Sequence, residues 1–169
     1  GLCDEALGED AVRAGLLLTV ASLAEGERLG RAAVSLGLEA RLHVKLDTGF
    51  HRLGFDCTGA AADEIARLAQ LPGIRLEGLY SHLALIDEAR DAFQHDNLVR
   101  MADALRARGV AIPLLHLCDS IGMLRYPQWQ YGMVRAGALL FGVRPARTEH
   151  LPFACDPALT FKTTIAQIH

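Results

Sequence analysis

The chain has 169 residues, is 51% hydrophobic and 22% charged, and carries a formal charge of −3, the balance of one globular domain with a sizeable core. Without a lysine or arginine cluster it is a poor partner for nucleic acid or an anionic membrane surface, and no run of about 18 apolar residues or basic-then-apolar leader marks a span or secretion signal. Four scattered cysteines (Cys3, Cys57, Cys118, Cys155) and seven histidines without HxxxH or HExxH spacing point to reduced thiols, a cytoplasmic setting and no metal site. The chain opens at Gly1 rather than methionine, which reads as a fragment or a processed product.

In chain order, residues 16–20 read as a strand and residues 24–36 as a helix closed by Gly37. Residues 41–47 (RLHVKLD) read as a second strand, with Leu42, Val44 and Leu46 at alternate positions. A helix over 58–70 ends at Leu71-Pro72-Gly73, a strand follows over 74–82, and a long helix over 87–108 is closed by Gly109. A strand over 112–117 and a short one over 133–134 come next, while 139–143 is open between a helical turn and a strand. This alternation predicts an α/β fold of parallel βα units, either part of a (β/α)₈ barrel or an open doubly wound sheet. About five such units fall short of a whole barrel of ~250 residues. Residues 1–150 are therefore expected to be a partial (β/α) barrel. Residues 151–169 are expected to be a linker and the start of a C-terminal β-domain, with a first strand over 158–169 (ALTFKTTIAQIH).

Three clusters fall at the ends of predicted strands, where βα-barrels build their sites. Lys45 to Gly54 joins a charged lysine on an apolar strand, costly to bury unless paired or modified, to a glycine-bounded loop carrying Arg52. A salt bridge explains Lys45 as well as catalysis does. Ser81-His82 ends the third strand, where a histidine is more often a satisfied core or rim residue. His116-Leu117-Cys118-Asp119-Ser120 and Met133 to Ala138 end the fourth and fifth. Ser120 suits a plain N-cap, and, with amides near Gly137, it also suits a phosphate.

Together, K-x-D-T-G-x-x-R-x-G from Lys45, S-H at Ser81, H-x-x-x-S from His116 and M-V-R-x-G-x-x-L-x-G from Met133 resemble alanine racemase, from roughly Leu16 to the last residue. The resemblance implies a partial TIM-like barrel that binds pyridoxal 5′-phosphate, followed by the first strand of a C-terminal β-domain. It also implies a homodimer and racemisation of L-alanine to D-alanine for peptidoglycan precursors. Arg135 then takes the place of the arginine facing the pyridine nitrogen. A guanidinium is a permanent cation with no acceptor, so the ring nitrogen beside it stays unprotonated, which weakens the ring as an electron sink and limits transamination. His82 matches the histidine supporting that arginine, and Arg52 the residue near the phenolic oxygen and the substrate carboxylate. Lys45 matches a lysine often carbamylated in the family, and Ser120 with Gly137 and Ala138 matches the phosphate cup.

The chain departs from that pattern at Asp119 (usually Asn), Phe50 (usually Met), Ala138 (usually Ile) and Phe141 (usually Tyr). A carboxylate at Asp119 repels a phosphate unless it is turned away or protonated; the other three read as packing changes. The only lysines are Lys45 and Lys162, and neither stands in the family's early-strand lysine motif. With the Schiff-base lysine and the catalytic tyrosine both missing, this segment alone is expected to be inactive, the activity belonging to the full-length parent. The alternatives are a serine or other amino-acid racemase and a non-catalytic pyridoxal-phosphate-binding barrel protein. Against the last stand Arg135, where such proteins present a hydroxyl, and the strand-like tail.

Overall fold

The computed structural model describes residues 3–143, 156–165 and 167. Five strands, β1 (Leu17–Val20), β2 (Ala40–Lys45), β3 (Ile74–Tyr80), β4 (Leu114–Asp119) and β5 (Met133–Arg135), form one parallel sheet in chain order. Between them run α2 (Leu23–Leu36), α3 (Gly59–Leu68), α4 (Glu88–Arg106) and the short α5 (Gly122–Arg125), and α1 (Gly8–Arg13) precedes β1. A doubly wound sheet reverses direction at a switch point. This one steps the same way at every crossover, which gathers the helices on one face, as in a section of a (β/α)₈ barrel.

Local chemistry fixes the helix ends. Ser22, Thr58 and Asp87 each accept a hydrogen bond from the amide three residues on, and Gly37 closes α2 at φ +65°. Along β1 and β2, Leu18, Val20, Leu42 and Val44 join Leu29, Ile65, Leu68, Leu98 and Leu105 in one core, each fully buried leucine contributing about 1.5–3 kcal/mol. The period of two sends Thr19, His43 and Lys45 to the opposite, concave face, yet each is buried there as well.

Three differences from the sequence reading stand out. Helix α1 is not anticipated, because six residues opening on Gly8 carry too little periodicity. Residues 139–143 resolve as a 3₁₀ turn, Ala138–Phe141, ended by Gly142 at φ +71°. The strand expected over 158–169 is not formed in its described part. Residues 158–165 have no ladder partner among the described residues and Phe161 is 90% exposed, and a segment without a partner leaves its amides to water. The expected boundary at 150/151 lies outside the described residues.

Candidate functional site

Lys45, Arg52, His82, Ser120, Arg135, Gly137 and Ala138 all lie at or just beyond the C-terminal ends of β2 to β5. Strand register explains the grouping. Lys45 pairs with Tyr80, Tyr80 with His116 and Asp119 with Arg135 across the sheet. Polar side chains from four strands therefore meet on the concave face.

Arg135 is the hub. Its Nη1 lies 2.5 Å from Nδ1 of His116, and its Nη2 donates to the carbonyls of Ser81 (2.8 Å) and Leu117 (2.9 Å), with Nδ1 of His82 at 3.3 Å. The guanidinium carbon sits 5.0 Å from the centre of the Tyr80 ring. Among the described residues Arg135 makes no ion pair with a carboxylate; acceptors without formal charge hold it. His116, which opens the H-x-x-x-S motif, makes a shorter contact with Arg135 than His82 does.

The hub extends behind His116. Its Nε2 lies 2.9 Å from Nδ1 of His43, and its ring stacks on Tyr80 at 4.5 Å and 7°. Burial first, then Arg135 and His43, pushes His116 down to about 3, and burial lowers His43 as well. Both rings are neutral at ordinary pH. Gly78 makes room for this pair, since a Cβ there would lie 2.7 Å from His43 Nε2. The alternation of Arg41, His43 and Lys45 in β2 carried the signal that His43 shares the face of Lys45.

Lys45 is 3% exposed, and its Nζ donates to the carbonyls of Leu46 (2.5 Å) and Leu53 (3.4 Å). Burial, opposed by Asp47 and assisted by Arg135 and Arg52, lowers it to about 8. The following loop is folded by Asp47, whose Oδ1 accepts from the amides of Gly49 and His51 at 3.0 Å. Burial alone would raise Asp47; those amides and Lys45 hold it below its ordinary value. Gly54, at φ +131°, brings the loop back so closely that a Cβ would lie 2.4 Å from the Asp47 nitrogen. Arg52 is exposed, its guanidinium 4.6 Å from the centre of the Phe50 ring, and Phe50 in turn meets His82 edge-on at 5.0 Å. Phe50, read from the sequence as a packing change, bridges two predicted site residues.

Ser120 is 4% exposed and its Oγ accepts from the amide of Gly137 at 2.7 Å. A Cβ on Gly137 would meet no described residue within 4 Å, and Ala138 follows at the start of its 3₁₀ turn. The Ser120 hydroxyl accepts in its contact with Gly137 and keeps its own proton to donate, which fits an anionic oxygen group, while Arg135, a donor without acceptors, fits a ring nitrogen that accepts. Asp119 turns its Oδ1 to the amides of Ile121 (3.0 Å) and Gly122 (2.8 Å), and its Oδ2 lies 4.0 Å from Nε2 of His82. Burial lowers His82, with Asp119 opposing and Arg135 assisting. A cleft of about 600 Å³ lined by Gly30, Val34, Leu71 and Pro72 lies on the outer helical face, away from these groups. No helix is long and apolar enough to cross a membrane, and no group of three or more His, Cys, Asp or Glu could hold a metal ion, among the described residues.

Comparison with known proteins gives one consistent result. The profile described as "Alanine racemase, N-terminal domain" matches residues 1–145. The alanine racemase of Syntrophobacter fumaroxidans is 38% identical over 94% of this chain and 43% of its own length. Alanine racemase 2 of Caldanaerobacter subterraneus is 35% identical over 94% of the chain and 42% of its own. The solved alanine racemase of Clostridium difficile 630 in complex with cycloserine superposes with a TM-score of 0.88 at 31% identity, over 93% of this chain and 44% of that one. The chain thus spans about two fifths of the relatives it matches.

Proposed function

Because the chain belongs to the alanine racemase family through its N-terminal domain, we propose that the whole protein interconverts L- and D-alanine with pyridoxal 5′-phosphate, and that this segment supplies the wall facing the ring nitrogen and the phosphate. The observation that carries this reading is Arg135, a half-buried cation held by two histidine nitrogens and two carbonyls. When bound, the cofactor withdraws electrons from the amino acid's Cα and makes its proton acidic.

The residues of this chain temper and orient that chemistry. Arg135 can only donate, so it would face the ring nitrogen without giving up a proton. The Ser120 hydroxyl, held in place by the Gly137 amide, and the Ala138 amide would hold the phosphate, and Arg52 the substrate carboxylate. Lys45, lowered to about 8 by burial, offers a neutral amine fraction to carbon dioxide, and the resulting carbamate would draw Arg52 inward. The homodimer, and a role in supplying D-alanine to the cell wall, belong to the same proposal.

The test is made on the intact protein incubated with pyridoxal phosphate and L-alanine, with L-serine in parallel. D-alanine formation together with the absorbance of bound cofactor is expected. Cofactor uptake without turnover of any amino acid would shift the reading to a non-catalytic binding protein, and preferential turnover of serine would correct the substrate.

A further inference from the structure

Helix α4 is inverted in its first half. Phe93 is 61% exposed, whereas Asp91, Gln94 and Asn97 are 0%, 2% and 6% exposed. Spaced three apart, these three side chains form a ridge along one face. Buried polar groups require partners, and these find them in three loops that follow three successive strands.

Gln94 stands at the centre. Its Oε1 accepts from the amide of Ala84 at 2.8 Å, and its Nε2 donates to the carbonyl of His82 at 3.1 Å and to Thr48 Oγ1 at 3.4 Å. Asn97 Nδ2 donates to the carbonyl of Thr48 at 3.1 Å. Asp91 accepts from the amide of Leu85 at 3.0 Å and from the Tyr126 hydroxyl at 2.6 Å, with Arg125 Nη1 at 3.7 Å. Thr48 belongs to the loop carrying Arg52, Ala84 and Leu85 to the loop carrying His82, and Tyr126 to the segment after Ser120. Thr48 Oγ1 also lies 2.8 Å from Ser81 Oγ, which closes the first two loops on each other.

We propose that Gln94 is a positioning residue, the middle of a polar ridge on α4 that locks the loops after β2, β3 and β4 together and so places His82 and Arg52 toward the site. The ridge stands on its contacts alone; its bearing on a cofactor rests on the function proposed above. Gln94 acts through the His82 carbonyl and the Ala84 amide, which bracket the loop on which the His82 ring turns toward Arg135.

The experiment is hydrogen exchange of the intact protein without cofactor, for wild type and Gln94→Met, which keeps the side-chain length and loses the hydrogen bonds. Amides over 47–54 and 81–86 are expected to exchange at least about tenfold faster in concert, while those of β2 and β4 stay unchanged. The ¹⁵N shifts of the His82 ring, which report its tautomer, move with them, and those of His116 do not. Should Gln94→Met fail to fold, Gln94→Glu serves. It keeps the acceptor for Ala84 and loses the donors, so the Ala84 amide stays protected while the loop over 47–54 loosens. Exchange altered by less than about twofold, loosening of one loop alone under Gln94→Met, uniform loosening of the whole chain, or an unmoved His82 ring overturns the proposal. Pyridoxal phosphate uptake by wild type is read separately. Concerted loosening in a protein that takes up no cofactor leaves the ridge standing and sinks the functional reading.

Discussion

Arg135 Nη1 lies 2.5 Å from His116 Nδ1, and this contact dictates a tautomer. A guanidinium only donates, so His116 keeps its lone pair on Nδ1 and its proton on Nε2, which is then given to His43 Nδ1 at 2.9 Å. His82 also faces the arginine through Nδ1 at 3.3 Å, while its Nε2 lies 4.0 Å from Asp119 Oδ2, beyond hydrogen-bond reach. The two histidines flank the cation in the same sense, and neither adds a charge beside it.

His116 makes stability depend on pH. Its folded value of about 3 lies below the ordinary 6.5, so below pH 6.5 the unfolded chain binds a proton that the native chain refuses. Stability therefore falls as pH drops from about 6.5 toward 3, by up to about 1.4 kcal/mol per pH unit from this one group. Urea midpoints measured at intervals from pH 7 to pH 4.5 should show this slope, and His116→Gln should flatten it. An unchanged slope in the variant would exclude His116 as its source.

Arg135→Gln leaves carbonyls of Ser81 and Leu117 and a histidine nitrogen short of donors. Each orphaned buried acceptor costs about 1–3 kcal/mol, so a loss of about 3 kcal/mol or more in chemical denaturation is expected. In the whole protein Arg135→Glu should raise pyridoxamine phosphate formation relative to racemisation. Unaltered racemisation without that product would remove Arg135 from the ring nitrogen.

Phe50 holds the Arg52 guanidinium on one side and the His82 ring on the other. For an exposed arginine such a contact is worth about 0.5–1 kcal/mol. Phe50→Ala should raise KM for the amino acid severalfold with a smaller change in kcat, and Phe50→Met should recover part of it. A pure kcat effect would mean that Arg52 is positioned by something else.

Carbamylation of Lys45 consumes the neutral amine, whose fraction grows as pH rises through about 8. Incubation with ¹³C-bicarbonate should give a carbamate carbon signal stronger at pH 8.5 than at pH 6.5, and absent in Lys45→Met. A signal that survives this substitution would belong to another amine.

The order of strands and helices was legible because each rests on short-range chemistry. Leu42, Val44 and Leu46 alternate, Gly37 allows the left-handed turn that ends α2, and charged or glycine residues mark strand ends. The site was legible because those strand ends carry Lys45, His82, Ser120 and Arg135 at characteristic intervals. Roles within the site were not. The family resemblance implied His82 as the partner of Arg135, while the folded chain brings His116 closer to it.

What the sequence by itself determined is which residues reach the concave face, since a period of two along a strand is local. Only the tertiary structure decided which nitrogen meets which, and why α4 buries Asp91, Gln94 and Asn97 while exposing Phe93. The partners of those polar groups lie up to 49 residues away on loops, and a hydropathy pattern carries no information about a hydrogen bond closed across the fold.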